Sequence, residues 1–169
     1  MSEIKKGLSA KTKLILAVVG IPALVAAWWA FRPEKLFVNE QVSEAPPAGL
    51  SGEPEALYIG RLESRAHPTN GRATIYKSSD SKQYLRLTDF STSNGPDVHV
   101  VLVKASDKSL GQDITTSELE HVELGMLKGN HGDQNYLLPG GADLEKYQAV
   151  AIYCERFHAV FGIAKLEKF

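Results

Sequence analysis

The sequence predicts an all-β domain, an antiparallel sandwich or barrel-like body of about eight strands, preceded by one N-terminal transmembrane helix. Three observations lead there. From residue 56 onward, short runs of β-branched, aromatic and leucine residues are separated by turn signals every 8–15 residues. Within several runs the apolar residues alternate with a period of two, as strands with one buried face require. Ahead of them, Leu14 to Phe31 is an 18-residue stretch without a charge.

The N-terminal stretch comes first. About 20 apolar residues are needed to cross a bilayer core, and Leu14–Phe31 just reaches that length. Trp28, Trp29 and Arg32 follow as an interfacial belt and stop, which favours a retained signal anchor over a signal peptide cleaved after Val25-Ala26-Ala27. No cysteine follows the run, so a lipoprotein is excluded. Pro22 is expected to kink the helix, which membranes tolerate. Lys5, Lys6, Lys11 and Lys13 place residues 1–13 in the cytoplasm and the rest of the chain outside it, in the periplasm or at the cell surface. Residues 32–55 contain Pro33, Pro46, Pro47, Pro54, Gly49 and Gly52 and read as an extended linker.

Residues 56–169 form the β domain. Leu57–Leu62 and Ala73–Lys77 are the first two expected strands, joined through the turn-like Pro68-Thr-Asn-Gly71. Gln83–Phe90 alternates, with Leu85 and Leu87 on one face. In Asp97–Val103, Val98, Val100 and Leu102 share one face while Asp97, His99 and Val101 share the other. Ile114–His121, where Thr115-Thr-Ser-Glu118 resembles a capping box, is the one helical turn expected. Glu123–Leu127 and Gln134–Leu138 flank a Gly129–Gly132 turn. Ala149–Phe157 is apolar on both faces, as a central strand is, and Phe161–Leu166 follows it.

Charge narrows the partners. Residues 1–33 carry five basic groups and Glu3, leaving 14 basic and 19 acidic groups in the remainder. A domain with that acidic excess has no basic footprint for a nucleic acid. The single cysteine, Cys154, rules out an internal disulfide and a cysteine-rich zinc site. No P-loop, dinucleotide-binding glycine pattern, His-Glu-x-x-His or Gly-x-Ser-x-Gly motif is present.

The residues that remain for chemistry are few. Cys154 shares strand parity with Val150 and Ile152, which is the pattern of a small buried hydrophobe. A functional thiol there requires a nearby positive charge, or a metal or haem iron that takes the thiolate. Lacking a second cysteine, electron transfer through it requires a prosthetic group, a sulfenic acid or a partner thiol. Asp97 and His99, two apart on one strand face, can offer two metal ligands or a carboxylate that orients an imidazole. With Cys154 they make a three-ligand set suited to copper or zinc. His67 is a further loop candidate for ligation; His131 with Asp133 reads as a tight turn, and His121 and His158 as exposed residues.

Three ordered segments carry a resemblance. They are Asn94-Gly-Pro-Asp-Val-His-Val-Val-Leu102, then Leu127-Lys-Gly-Asn-His-Gly-Asp-Gln-Asn-Tyr136 with Pro139, then Ala151-Ile-Tyr-Cys-Glu-Arg-Phe157 with Phe161-Gly162 and Leu166. The stretch from Leu57 to Leu166 resembles the DM-thirteen domain, the single-cysteine module found beside DOMON domains in Skeletor-type proteins and alone in bacterial envelope proteins. Tyr153 departs from it, standing where a tryptophan is frequent. The resemblance implies a β-sandwich-like electron-transfer domain whose cysteine, here Cys154, acts as a bare thiol or as ligand to a group such as haem. Beside it, His67, Asp97 and His99 are the second-line candidates for ligation or for stabilising the thiolate. The partner implied is a redox or envelope protein. The alternative is a non-catalytic surface binding or adhesion module in which Cys154 is a core residue.

Overall fold

The computed structural model describes residues 9–31, 38–47, 55–104 and 120–169, in two units, Met1–Glu34 and Lys35–Phe169. The expected capping box at Thr115–Glu118 lies outside the described residues.

In the first unit, α1 (Ala10–Ile15), a π-helical turn (Leu16–Gly20) and α2 (Ile21–Phe31) run as one helix. Ser9 caps it, its Oγ accepting the N–H of Thr12 at 3.2 Å. The irregularity falls in the turn just before Pro22, where the ring displaces the carbonyl one turn back and an N–H is missing; a wider turn accommodates both. Ala10–Trp29 is long and apolar enough to cross a membrane, a length and composition that a membrane anchor and a signal sequence share.

The second unit is a sandwich of two antiparallel five-stranded sheets. Its strands are β1 (Glu55–Arg61), β2 (Glu63–Ser64), β3 (Thr69–Lys77), β4 (Gln83–Thr92), β5 (Val98–Val103), β6 (His121–Met126), β7 (Gln134–Leu137), β8 (Ala149–Cys154), β9 (Ala159–Lys165) and β10 (Glu167–Lys168). One sheet has the order β10-β1-β3-β4-β7, the other β2-β9-β8-β5-β6. Eight strands are those of the sequence pattern, within a few residues at their ends; β2 and β10 are two-residue edge strands. His121, expected at the end of a helical turn, opens β6.

The faces follow the alternation. Val98, Val100 and Leu102 of β5 and Val150, Ile152 and Cys154 of β8 enter the core between the sheets, with Ile75, Leu85, Leu87 and Phe161. Val101, Val103, Ala149, Ala151, Tyr153, Val160 and Ile163 form a second buried cluster on the opposite face of their sheet. Both faces of β8 are thus covered, as its unbroken apolar run requires.

Two irregularities change the face of a side chain. On β4, Asp89 and Phe90 together oppose Gly71, and Asp89 adopts a left-handed φ of 51°. This bulge shifts the parity after Leu87, so Phe90 is buried and Asp89 stays outside. On β6, Gly125 (φ 136°) marks the bulge between the Val100 and Val101 pairings, which keeps Glu123 opposite Val101 on the outer face.

The Leu127–Asp133 segment crosses from one sheet to the other. The N–H of Leu127 bonds to the carbonyl of Val98, the N–H of Thr92 at the end of β4 to the carbonyl of Asn130, and the N–H of Gly132 to the carbonyl of Phe90. Gln134, fully buried, secures the crossing: its Oε1 accepts from the N–H of Lys128 (3.1 Å), the N–H of Gly129 (3.3 Å) and the hydroxyl of Tyr136 (2.8 Å), and its Nε2 donates to the Gly129 carbonyl (2.7 Å).

Residues 38–47, within the stretch whose composition reads as a tether, lie along this crossing. Val42 and Glu44 donate their N–H groups to the carbonyls of His131 and Asp133, and His131 donates to Glu40. This is parallel pairing, so the segment acts as a strap on the sheet edge next to β7. Gly132 permits the approach, because a Cβ there would lie 2.0 Å from the Val42 oxygen. The Glu44 carboxylate takes the Lys128 ammonium at 2.8 Å and the Asn135 N–H at 2.7 Å.

Candidate functional site

Two places carry the residues singled out from the sequence, and they lie on opposite faces of one sheet. Cys154 ends β8, paired in register with Val98 on β5 and Ala159 on β9. Its side chain is fully buried in the core between the sheets. Around Phe161 the core is closed by His67 and Gly95. The His67 ring packs on the Phe161 ring at 4.0 Å between centroids, and a Cβ on Gly95 would meet Val98 at 2.6 Å and Phe161 at 3.0 Å. Hence Gly95 in the Gly-Pro-Asp turn is there for close approach, and His67 is a packing residue, half-buried rather than solvated.

The strand expected to reach Phe157 stops at Cys154. Glu155–His158 is an exposed turn in which His158 takes a φ of 49°, and its Nδ1 meets the Tyr153 hydroxyl at 2.9 Å. The run of β-type residues continues past the turn without a Gly or Pro to announce it, so the sequence does not show where the strand ends.

A haem does not fit beside Cys154 in this fold. Its sulfur is enclosed by core side chains, and neither of the two described clefts reaches it. The larger, about 810 Å³, is lined by residues of β1, β2, β3 and β9 such as Arg61, Arg72 and Lys165, and the smaller, about 460 Å³, by Leu57, Tyr58, Leu144 and Phe169 among others.

Asp97 and His99 do come together, and with residues other than Cys154. His99 Nε2 lies 3.1 Å from Asp97 Oδ1 and 3.6 Å from Glu155 Oε2, and its Nδ1 lies 2.7 Å from Glu123 Oε1. The imidazole is 12% exposed while Glu155 is 62% exposed, so the ring is set into the surface beneath a carboxylate facing solvent. Burial disfavours the charged imidazole, but the hydrogen bonds to Asp97 and Glu123 outweigh it and raise the His99 pKa above its ordinary value. Three chain segments build this cluster: β5 and its entry supply Asp97 and His99, β6 supplies Glu123, and the turn after β8 supplies Glu155. The N–H of Glu155 bonds to the Asp97 carbonyl at 2.9 Å and pins two of them together. Because Val98 pairs with Cys154 and His99 with Tyr153, the set Asp97–His99–Cys154 is not brought to one place; Glu155 stands where Cys154 was expected. Glu123 and Glu155 are absent from the sequence reading, since only strand pairing shows that they flank His99.

His131 joins through its backbone to the strap and to Ser91, and Asp133 pairs with Arg86 at 2.6 Å. That loop is structural. Against known families, the one described as Electron transfer DM13 matches residues 61–166, which include Cys154, Asp97, His99 and Glu155. The chain belongs to the DM13 family. No curated protein and no solved structure matches it.

Proposed function

We propose that this DM13 protein is a membrane-anchored, extracytoplasmic electron-transfer module in which Cys154 is the reacting group, working as a bare thiol with a disulfide-bearing redox partner. The observation that carries this reading is the place of Cys154. It is the last residue of β8, followed at once by the exposed Glu155–His158 turn, so loosening one turn and the pairs Cys154–Ala159 and Cys154–Val98 uncovers the sulfur while the rest of both sheets stays paired. The chemistry is thiol–disulfide exchange. A bond forms between Cys154 Sγ and one sulfur of the partner's disulfide as that disulfide breaks, and the released partner sulfur takes up the proton lost from Cys154. Residues 10–29 hold the domain at the membrane, and Lys5, Lys6, Lys11 and Lys13 orient it with the N-terminus in the cytoplasm.

The test is the rate at which the full chain in detergent reacts with an aromatic disulfide reagent across low urea concentrations. Local opening gives a rate nearly independent of urea well below the unfolding midpoint. A rate that follows global unfolding supports a second reading, which the complete burial of Cys154 favours: a displayed binding module whose cysteine is a core residue.

A further inference from the structure

We infer that Asp97, His99 and Glu155 form a mononuclear site for a small d-block dication of the Zn²⁺ type, with Glu123 as the residue that positions the imidazole. Among the described residues these are the one group of three whose candidate ligand atoms, a ring nitrogen and two carboxylate oxygens, all lie within 4.8 Å of one another.

The dimensions fit a small ion. Ligands at about 2.0–2.2 Å from a tetrahedral centre lie about 3.3–3.6 Å apart. The separations from His99 Nε2 to Asp97 and to Glu155, 3.1 and 3.6 Å, are close to this, and the two carboxylates lie within 4.8 Å of each other. Ca²⁺ takes more oxygens at longer range, and Mg²⁺ prefers an oxygen octahedron, so neither matches a set with one imidazole.

The imidazole is also held as a metal ligand is held. Glu123 accepts from Nδ1–H at 2.7 Å and so fixes the ring, while the Nε2 proton, given to Asp97 at 3.1 Å, is the one a dication would displace to take that nitrogen as its ligand. With the ring mostly buried, its angle is set by packing, while Asp97 and Glu155, 32% and 62% exposed, leave the remaining coordination positions to water. Three carboxylates around one imidazole leave excess negative charge even with the ring protonated, and a dication neutralises it. The site lies on the outer face of the sheet and shares the Glu155–His158 turn with Cys154, so a bound ion would hold that turn closed.

Isothermal titration of the metal-free full chain in detergent with zinc chloride tests this, with circular dichroism to confirm that each variant folds. One equivalent is expected to bind at micromolar concentration. Glu155→Gln should weaken binding about tenfold or more, and Glu123→Gln by about 10–100-fold, the usual effect of losing a residue that orients a ligand. Glu55→Gln, far along the chain on β1, should change nothing. No saturable binding, or an affinity unchanged in Glu155→Gln and His99→Asn, overturns the site. Because Glu155 is exposed, its variant is expected to fold and keeps the test decisive.

Discussion

Cys154 shows how much one buried atom constrains. Its thiol sits in a fully enclosed apolar position, where a weak S–H donor is tolerated without a strong partner. Serine is closer in shape than alanine but brings a hydroxyl that must be satisfied. Cys154→Ser is therefore expected to destabilise the domain by about 1–3 kcal/mol, more than Cys154→Ala, in urea unfolding of the full chain. Gln134 is the opposite case, a buried amide whose partners depend on it. Gln134→Ala strips the Gly129 N–H and the Tyr136 hydroxyl of their acceptor and leaves the Lys128 N–H only the Tyr136 oxygen, and should cost about 2–4 kcal/mol. Tyr136→Phe removes two bonds from the same network, the one it donates to Gln134 and the one it accepts from the Lys128 N–H, and should cost about 1–2 kcal/mol in the same assay. Desolvation pushes the Tyr136 phenol well above its ordinary pKa, so it stays a neutral donor throughout the working pH range.

Among the elements, the strap of residues 38–47 responds to acid. Burial tends to raise the Glu44 pKa, but its bonds from Lys128 and the Asn135 N–H prevail and lower it. A carboxyl with a depressed folded pKa stabilises the strap above its ordinary value and loses that contribution as pH falls through the lowered one. Amide exchange at Val42 and Glu44 should therefore accelerate below about pH 4.5 relative to the Val100 and Val150 amides, and Glu44→Gln should produce the same loosening at neutral pH. This strap was hidden in the sequence because its bonds are made by backbone groups and by residues about 90 positions away, under a composition that reads as linker. The long strands were legible because alternation and burial are set by the same period: Val98, Val100 and Leu102 enter the core as their spacing demands. The Asp89 bulge and the crossing at Leu127–Asp133 were not, since a change of face or of sheet leaves no local signature. The candidate site was half legible. Asp97 and His99 share a strand face by spacing alone, whereas Glu123 and Glu155 join them through pairing of β5 with β6 and β8.

At the scale of the whole molecule, the anchor reading makes a direct prediction. The membrane-associated protein should keep Leu14–Phe31 when its N-terminus is sequenced, and it should resist extraction by alkaline carbonate; release with an N-terminus beginning after residue 27 would identify a signal peptide instead. The domain's acidic excess, 14 basic against 19 acidic groups after residue 33, further predicts no retention by DNA at physiological salt.

The strap also gives the chain a mechanical character. Any pull transmitted from the N-terminal side reaches residues 38–47 before it reaches β1. Their backbone pairings with His131 and Asp133, and the bonds of Glu44 to Lys128 and Asn135, would have to give way before that pull loaded the paired strands. The strap would thus stand between such a pull and the sheets that carry Cys154 and the His99 cluster.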